Sequence, residues 1–176
     1  MKHLKSLFFV VAAAAVAILF IGYVQPAEGT TRAQALLRKP VPEIWATVMD
    51  FEHWASWNPE VKSVSRSGNR NLHPTWALQT SSGLRTLEIT EIEVNKQIQT
   101  LIEKGSTQTR WTWSFREVPA GTELTITQTK TEKNLFLRGL QVFRDDAERI
   151  ELVLVGLGNR HELRVEPKSG AALKSR

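Results

Sequence analysis

Side chains suited to acid–base or metal chemistry are few in this sequence of 176 residues. No two histidines have the spacing with which one helix face holds a metal ion. They are His3, His53, His73 and His161. Cysteine is absent, which excludes a disulfide, a thiolate nucleophile and a cysteine-ligated metal. Because the sequence also lacks a Gly-rich phosphate loop and a nucleophile elbow, we predict no catalytic residue, no metal site and no cofactor.

One group of carboxylates lies on a predicted strand. Glu88, Glu91 and Glu93 alternate with apolar residues in a pattern that changes register near Thr90, which predicts a β-bulge. A glutamate turned inward at the bulge would have a raised pKa and could act as a general base. A row of glutamates facing water is the commoner arrangement, and both alternatives are open at this point.

Two further polar positions allow a chemical role and a simpler explanation. His53, between Glu52 and Trp54, could transfer a proton near a cavity mouth, but a solvated helix residue is the commoner case. Asp145 and Asp146 are adjacent on a predicted helix, so their side chains point about 100° apart and cannot converge on one atom. We expect them on a solvated helix face.

Alternation of apolar and polar residues predicts strands through the middle of the chain. It is clearest in residues 107–118, where Thr109, Trp111, Trp113 and Phe115 share one face. Short turns separate the strands, so neighbours should pair antiparallel. The predicted strands are residues 32–38, 61–66 with a turn at 67–69, 75–80, 84–94, 96–104, 107–118 and 123–131, the last with Leu124, Ile126 and Gln128 facing inward.

Helical patterns flank these strands. The stretch PEIWATVMDFEHWASW, residues 42–57, starts with a proline and a glutamate suited to a helix N-terminus; we predict a helix that breaks near Asp50 and ends at Asn58 and Pro59.

Residues 134–157 predict one long amphipathic helix, with Glu148 and Arg149 on the side opposite the apolar stripe. A coiled-coil partner helix is the alternative to packing on the sheet, and packing explains the stripe more simply. The predicted fold class is therefore α+β, a curved antiparallel sheet wrapped around a long C-terminal helix.

The order of these elements resembles that of the START-like superfamily (SRPBCC), which includes polyketide cyclase/dehydrase and lipid-transport proteins. The stretch VPEIWATVMDFEHWASWNPEVKSVS carries the resemblance, which extends over about residues 30–163. The matching residues are Pro42, Trp45, Asp50, Phe51, Trp54, Trp57, Asn58 and Pro59. The resemblance implies a helix-grip fold that encloses a hydrophobic cavity, and it does not indicate which ligand is bound.

With that fold, the two short helices would close one end of the groove. Trp54 and Trp57 would wedge between them and the long helix, although both rings could equally be core residues. The residues expected to line the cavity are Trp54, Trp76, Leu78, Leu87, Trp111, Trp113, Phe115, Leu140 and Phe143.

The N-terminus predicts a membrane anchor. An uncharged apolar run, Leu7–Val24, follows Lys2 and Lys5 and is close to the ~20 residues that span a bilayer. Its exit has no good cleavage site, so we expect an uncleaved signal anchor rather than a cleaved signal peptide. The basic flank predicts a cytoplasmic N-terminus in a bacterial-type inner membrane, with the domain outside. Secretion after cleavage is the alternative.

Three segments follow from these predictions: an anchor and linker at 1–29, one domain at 30–163 and a basic, disordered tail at 164–176. The tail carries part of the net charge of +5, and contact with anionic lipid headgroups is its alternative role. Nucleic acid is not an expected partner because the basic residues are scattered. Oligomeric state is not indicated.

Three functions are consistent with the sequence. The first is a membrane-anchored module that binds a hydrophobic small molecule or lipid. The second is a cyclase- or dehydrase-type enzyme acting on a hydrophobic substrate, which the resemblance suggests but the missing inward acid or base weakens. The third is a ligand-free interaction module with a filled interior. Binding is the function that we expect.

Overall fold

The computed structural model describes residues 2–70, 72–141 and 146–170, and it has the predicted α+β class. Its helices are α1 (Lys2–Val24), α2 (Val41–Met49), a 3₁₀ helix (Phe51–Ser56), α3 (Leu135–Gln141) and α4 (Asp146–Arg160). Its strands are β1 (Glu28–Leu37), β2 (Val61–Arg70), β3 (His73–Thr80), β4 (Gly83–Glu93), β5 (Gln97–Lys104), β6 (Thr107–Val118), β7 (Gly121–Glu132) and β8 (Lys168–Gly170).

The strands form one antiparallel sheet in the order β2-β3-β4-β5-β6-β7-β1-β8. The six strands after the short helices follow one another as a meander, and β1 then pairs with β7. The register between β4 and β5 shifts between Ile89 and Glu91, which confirms the predicted bulge. Lys168–Gly170, from the predicted tail, pairs with β1 at the sheet edge.

The break near Asp50 is confirmed, because α2 ends at Met49 and the 3₁₀ helix begins at Phe51. The indole Nε1 of Trp54 donates a hydrogen bond to the carbonyl oxygen of Val48 at 2.9 Å, which ties the two helices together. This bond satisfies a polar atom that would otherwise be buried without a partner. Trp54 is only 3 % exposed, so the pair of helices forms a fixed part of the core.

Helix α4 covers one face of the sheet, which we call the inner face. Its buried residues are Ile150, Val153, Leu154 and Leu157, and they join the core formed by the strands. Gly156 faces the turn after the 3₁₀ helix, where a Cβ would collide with the carbonyl oxygen of Trp57 and lie 3.2 Å from Pro59. The turn that follows the buried Trp57 therefore packs directly on α4.

Two sequence predictions differ from the structure. The predicted turn at 67–69 is wrong, because β2 continues through these residues to Arg70 with a register shift between Arg66 and Gly68. Gly68 has a φ of +129°, which accommodates an irregular strand as readily as a turn.

The predicted single helix over 134–157 is described as two helices, with residues 142–145 outside the described part. Helix α4 also runs past the predicted end to Arg160.

Helix α1 is the one described helix that is long and apolar enough to cross a membrane, over Leu7–Val24; a signal sequence has the same properties. It packs antiparallel on α3 through two glycines. A Cβ on Gly22 would collide with the carbonyl oxygen of Leu135, and a Cβ on Gly139 with that of Ile18. Small residues are what allow two helix backbones to approach this closely.

Candidate functional site

Side chains on the inner face of β6 change from small to large along the strand. Thr107 and Thr109 come first, and Trp111, Trp113 and Phe115 follow. These residues are two apart in the sequence and therefore lie on one face. Trp113 is 1 % exposed. The rings fill the interior at one end of the sheet, while the threonines leave space at the other.

The neighbouring strands show the same change in polarity at the same level. Opposite Trp113 lie Ile98 on β5 and Ile126 on β7, both fully buried. Opposite Thr107 lie Lys104 and Glu132. Because three adjacent strands become polar together, the inner face has an apolar half and a polar half.

A small inner cavity of about 40 Å³ lies where the aromatic rings end. Trp54, Trp111 and Trp113 are among its lining residues, and the Trp113 ring lies 5.7 Å from that of Trp54 and 6.0 Å from that of Trp111. Such a volume holds a few water-sized groups, since one water needs roughly 10–15 Å³. The aromatic side chains therefore occupy most of the interior themselves.

A much larger cleft of about 590 Å³ opens over the polar half of the inner face. This volume lies within the range of about 300–1,000 Å³ that is usual for small-molecule sites. Its apolar lining includes Ile102 on β5 and Leu137 and Leu140 on α3. Among the described residues, its charged lining has four basic and four acidic residues: Arg85, Lys104, Lys130, Arg149, Glu60, Glu132, Asp146 and Glu148. The cleft is thus amphipathic, with no excess of formal charge among these described lining residues.

The two cavities are adjacent. Glu60, Arg85, Ile102, Gln128 and Arg149 line both of them. A molecule in the outer cleft can therefore extend a small group into the inner cavity.

Glu132, at the floor of the cleft, is a buried carboxylate with its own set of donors. It accepts hydrogen bonds from the Ser106 hydroxyl at 2.7 Å, the Thr107 hydroxyl and the Asn134 backbone N–H at 2.8 Å. Burial by itself raises the pKa of Glu132, but these donors together with the charge of Lys130 outweigh it and hold the pKa below its usual value. Glu132 is therefore ionised at neutral pH and is a weak base.

Ion pairs connect α4 to the rest of the site. Lys130 on β7 contacts Asp146 at 3.3 Å, and the guanidinium of Arg149 donates to Glu60, with Nε at 3.1 Å from Oε2. Both pairs are partly or largely shielded from solvent, so they hold α4 over the cleft more firmly than surface pairs would. Asp146 is only 18 % exposed at its side chain, so it does not lie on the solvated face expected from the sequence.

The structure distributes the predicted cavity residues over several environments. Trp54, Leu78, Trp111 and Trp113 line the inner cavity, and Leu140 lines the outer cleft. Trp76, Leu87 and Phe115 line neither of these two cavities. The Trp76 ring contacts that of Phe51 in a tilted arrangement at 4.7 Å, and the Phe115 ring meets that of Trp45 edge to face at 5.2 Å. Phe143 lies outside the described residues. That these side chains contact a ligand stays a prediction.

The sequence did not identify the polar half of the inner face, over which the cleft opens. Thr109 and Gln128 were assigned to the inward faces, and the same alternation carried further along each strand reaches Thr107, Lys130 and Glu132. The alternation along each strand therefore indicates which residues face inward. Only the register of the strands shows that β5, β6 and β7 become polar at the same position along the sheet.

Among the described residues, no three His, Asp or Glu side chains are grouped so that they could hold a metal ion. His161 directly follows the last residue of α4. Burial, followed by the positive charge of Lys39, lowers its pKa, and its Nε2 lies 3.0 Å from the Thr47 hydroxyl. It contacts α2 and lines neither cavity.

Solved structures share this fold. A START superfamily protein from Mycobacterium smegmatis is 20% identical, with 75% of this chain and 97% of that chain covered and a TM-score of 0.58. A protein from Thermus thermophilus is 20% identical, with coverage of 74% and 95% and a TM-score of 0.59. The di-domain ARO/CYC BexL from the BE-7585A biosynthetic pathway is 15% identical, with 82% of this chain and 50% of that chain covered and a TM-score of 0.54.

No curated protein matches this chain. Family membership rests instead on a match to a family model. The family model for polyketide cyclase / dehydrase and lipid transport matches residues 30–147, a span that contains the two short helices, strands β2–β7 and α3. The match covers more than half of the chain and includes most of the residues that line both cavities, and the chain therefore belongs to the polyketide cyclase / dehydrase and lipid transport family.

Proposed function

We propose that this protein is a membrane-anchored, START-like binding module that holds a hydrophobic small molecule or lipid in the outer cleft. The observation that carries the proposal is the cleft itself, about 590 Å³ of amphipathic space beside an inner cavity that tryptophans have nearly filled. We also propose that the domain is a helix-grip fold, in which the sheet curves around one long C-terminal helix.

The contact between α1 and α3 supports a ligand taken from the membrane. Gly139 of α3 meets α1 at Ile18, six residues before its end at Val24, which is about 9 Å along a helix. With α1 as an uncleaved anchor and the domain on the extracytoplasmic side, α3 lies level with the outer part of the bilayer. Leu137 and Leu140 of α3 line the cleft, so the cleft opens where lipid is available.

Arg138 fits this placement. Its Nη1 lies 3.5 Å from the carbonyl oxygen of Gly22 and 3.4 Å from that of Gln25, at the C-terminal end of α1. A guanidinium neutralises the partial negative charge of a helix C-terminus, and its long side chain can carry that charge from an apolar level toward the membrane surface.

The acid–base character of the cleft favours binding over catalysis. A cyclase or dehydrase needs a group that exchanges a proton near neutral pH. Glu132 has a lowered pKa and three donors, while Lys130 and Arg149 are engaged with Asp146 and Glu60. None of these groups is poised for proton transfer. The nearly filled interior agrees with a ligand-free interaction module, but the outer cleft of about 590 Å³ weighs against that alternative.

Photocrosslinking tests this proposal in a bilayer. The full-length protein is reconstituted into phosphatidylcholine vesicles that contain a phospholipid with a diazirine on its acyl chain, and labelled peptides are identified by mass spectrometry. We expect saturable labelling of strands β5–β7 as well as of α1. Labelling confined to α1 would contradict the proposal, because an anchor contacts lipid without any cleft.

A matched pair of variants locates the label. Thr109→Trp adds a fourth ring to Trp111, Trp113 and Phe115 on β6 and fills part of the cleft. Leu140→Trp fills the cleft from the α3 side. Both variants should abolish labelling of the strands. Thr112→Trp makes the same change as Thr109→Trp on the outer face of β6, where Thr112 pairs with Gln99 and Thr127. It should leave the labelling unchanged.

A further inference from the structure

Three residues that line the inner cavity each have a buried polar side-chain atom without a hydrogen-bond partner in the described part of the chain. These atoms are the Oε1 of Gln128, the Oγ1 of Thr100 and the Nε1 of Trp113. Their residues are 5 %, 1 % and 1 % exposed, so solvent at the surface does not satisfy them. Buried polar groups in native proteins are nearly always hydrogen-bonded, and three exceptions around one cavity point to a missing partner.

The sheet register brings these residues together. Thr100 on β5 and Gln128 on β7 both pair with Trp111 on β6, one on each side. Trp113 is two residues along β6 and points to the same face. The three side chains therefore border one small space at the boundary between the apolar and polar halves.

Their chemistry defines what fits. The indole N–H can only donate a hydrogen bond, the amide oxygen can only accept one, and the threonine hydroxyl can do either. An alcohol matches this set, since its oxygen accepts from Trp113 and its hydrogen is donated to Gln128. An ionised carboxylate or phosphate has no proton to offer to the Gln128 oxygen, and the two arginines that also line this cavity already have partners: Arg85 donates to the Ser82 hydroxyl and Arg149 to the Glu60 carboxylate.

The size of the inner cavity also restricts which group can enter it. About 40 Å³ accommodates a hydroxyl group and the carbon that bears it, but not a chain or a headgroup. Ile102 and Gln128 line both this cavity and the outer cleft, so the remainder of the molecule has a direct path outward.

We propose that the inner cavity is a recognition site for an uncharged hydroxyl group, and that the ligand class is a hydrophobic alcohol whose body occupies the outer cleft. This inference rests on the proposed function of the cleft and adds the group by which the ligand is selected. Gln128, Thr100 and Trp113 are the residues that determine this specificity.

A pair of probes that differ in one group provides the test. Full-length protein in phosphatidylcholine nanodiscs is labelled with a diazirine-bearing long-chain primary alcohol, or with its methyl ether, over a range of concentrations. The ether cannot donate to Gln128. We expect half-saturation to require about tenfold more ether than alcohol, the usual effect of one unmade buried hydrogen bond.

Substitutions separate recognition from structure. Thr100→Val and Gln128→Leu remove an unpaired polar atom at nearly constant volume, so each should raise the urea midpoint of the empty protein. Gln128→Leu should also reduce the preference for the alcohol to less than about twofold, whereas Thr100→Val leaves the Gln128 acceptor in place and should keep most of the preference. Thr112→Val, on the outer face of β6, should change neither quantity.

The outcomes are distinguishable. Saturable labelling by both probes with equal half-saturation would overturn this inference and leave the proposed function intact; it would mean that the polar atoms bind only water. A Gln128→Leu variant that gains stability but keeps the preference for the alcohol would also overturn it. If neither probe labels the strands saturably, the proposed function fails and this inference fails with it.

Discussion

Trp113→Ala tests the packing on which the position of the cleft depends. The Trp113 ring is 1 % exposed and contacts the rings of Trp54 and Trp111 at centroid distances of 5.7 and 6.0 Å. If these rings fill the apolar half of the interior, removing one of them leaves a large void that the surrounding strands cannot close.

The expected loss of stability follows from the buried area. A buried tryptophan covers roughly 150–250 Å², which at about 25 cal/mol per Å² corresponds to about 4–6 kcal/mol. Large-to-small core substitutions of this kind cost about 3–5 kcal/mol, so we expect a loss of about 4 kcal/mol. Trp113→Phe keeps most of the ring contacts and removes an indole N–H that has no hydrogen-bond partner among the residues that the structure describes. Its expected cost is about 1 kcal/mol.

Urea unfolding of the full-length protein in a mild nonionic detergent measures both changes, with far-UV circular dichroism as the probe of the sheet. Parallel slopes for the wild type and both variants are the control that the free energies of unfolding are comparable. A loss below about 1.5 kcal/mol for Trp113→Ala, a value far under that of buried aromatic residues, would refute the filled interior described above.

Three further predictions concern other parts of the protein. Because the pKa of Glu132 is lowered in the folded state, its charge contributes stability above the unfolded pKa that is lost as the pH falls through the folded pKa; Glu132→Gln should lower the urea midpoint at pH 7 and flatten its decline on acidification. The pKa of His161 is also lowered, by burial first, so His161→Gln should remove a loss of stability that sets in as the pH falls below about 6.5, and an unchanged pH profile would contradict that assignment. Gly139→Leu should separate α1 from α3, measured as lost crosslinking between cysteines introduced on the two helices, whereas Gly29→Leu, where a Cβ meets nothing within 4 Å, should preserve it.

Most of the fold could be predicted because the sheet has strong alternation and short turns. The predicted bounds of β6 agree with the observed Thr107–Val118, since its large inward rings and polar outward residues leave one consistent face. The β2–β3 hairpin was harder. Gly68 suggested a turn, but the strand absorbs the glycine as an irregularity, and local composition does not distinguish these outcomes.

The candidate site was less predictable because it depends on alignment between strands. The sequence placed Trp111, Trp113 and Phe115 on one face of a strand, but it did not show that the rings themselves nearly fill the space beside them. The helical pattern also assigned Arg149 to the side away from the apolar stripe; in the structure it borders the cleft and binds Glu60. Residues at the margin of an apolar stripe can face solvent or a cavity, and only tertiary packing decides between them.

Native mass spectrometry of the full-length protein, released gently from detergent, tests the binding of a small molecule most directly. We expect the wild type to carry one retained hydrophobic or amphipathic molecule, and Thr109→Trp to appear at the mass of the chain alone while Thr112→Trp keeps the added mass. A wild-type spectrum with only the bare chain, from protein purified out of membranes under conditions that preserve its fold, would contradict the assignment of the cleft as a ligand site.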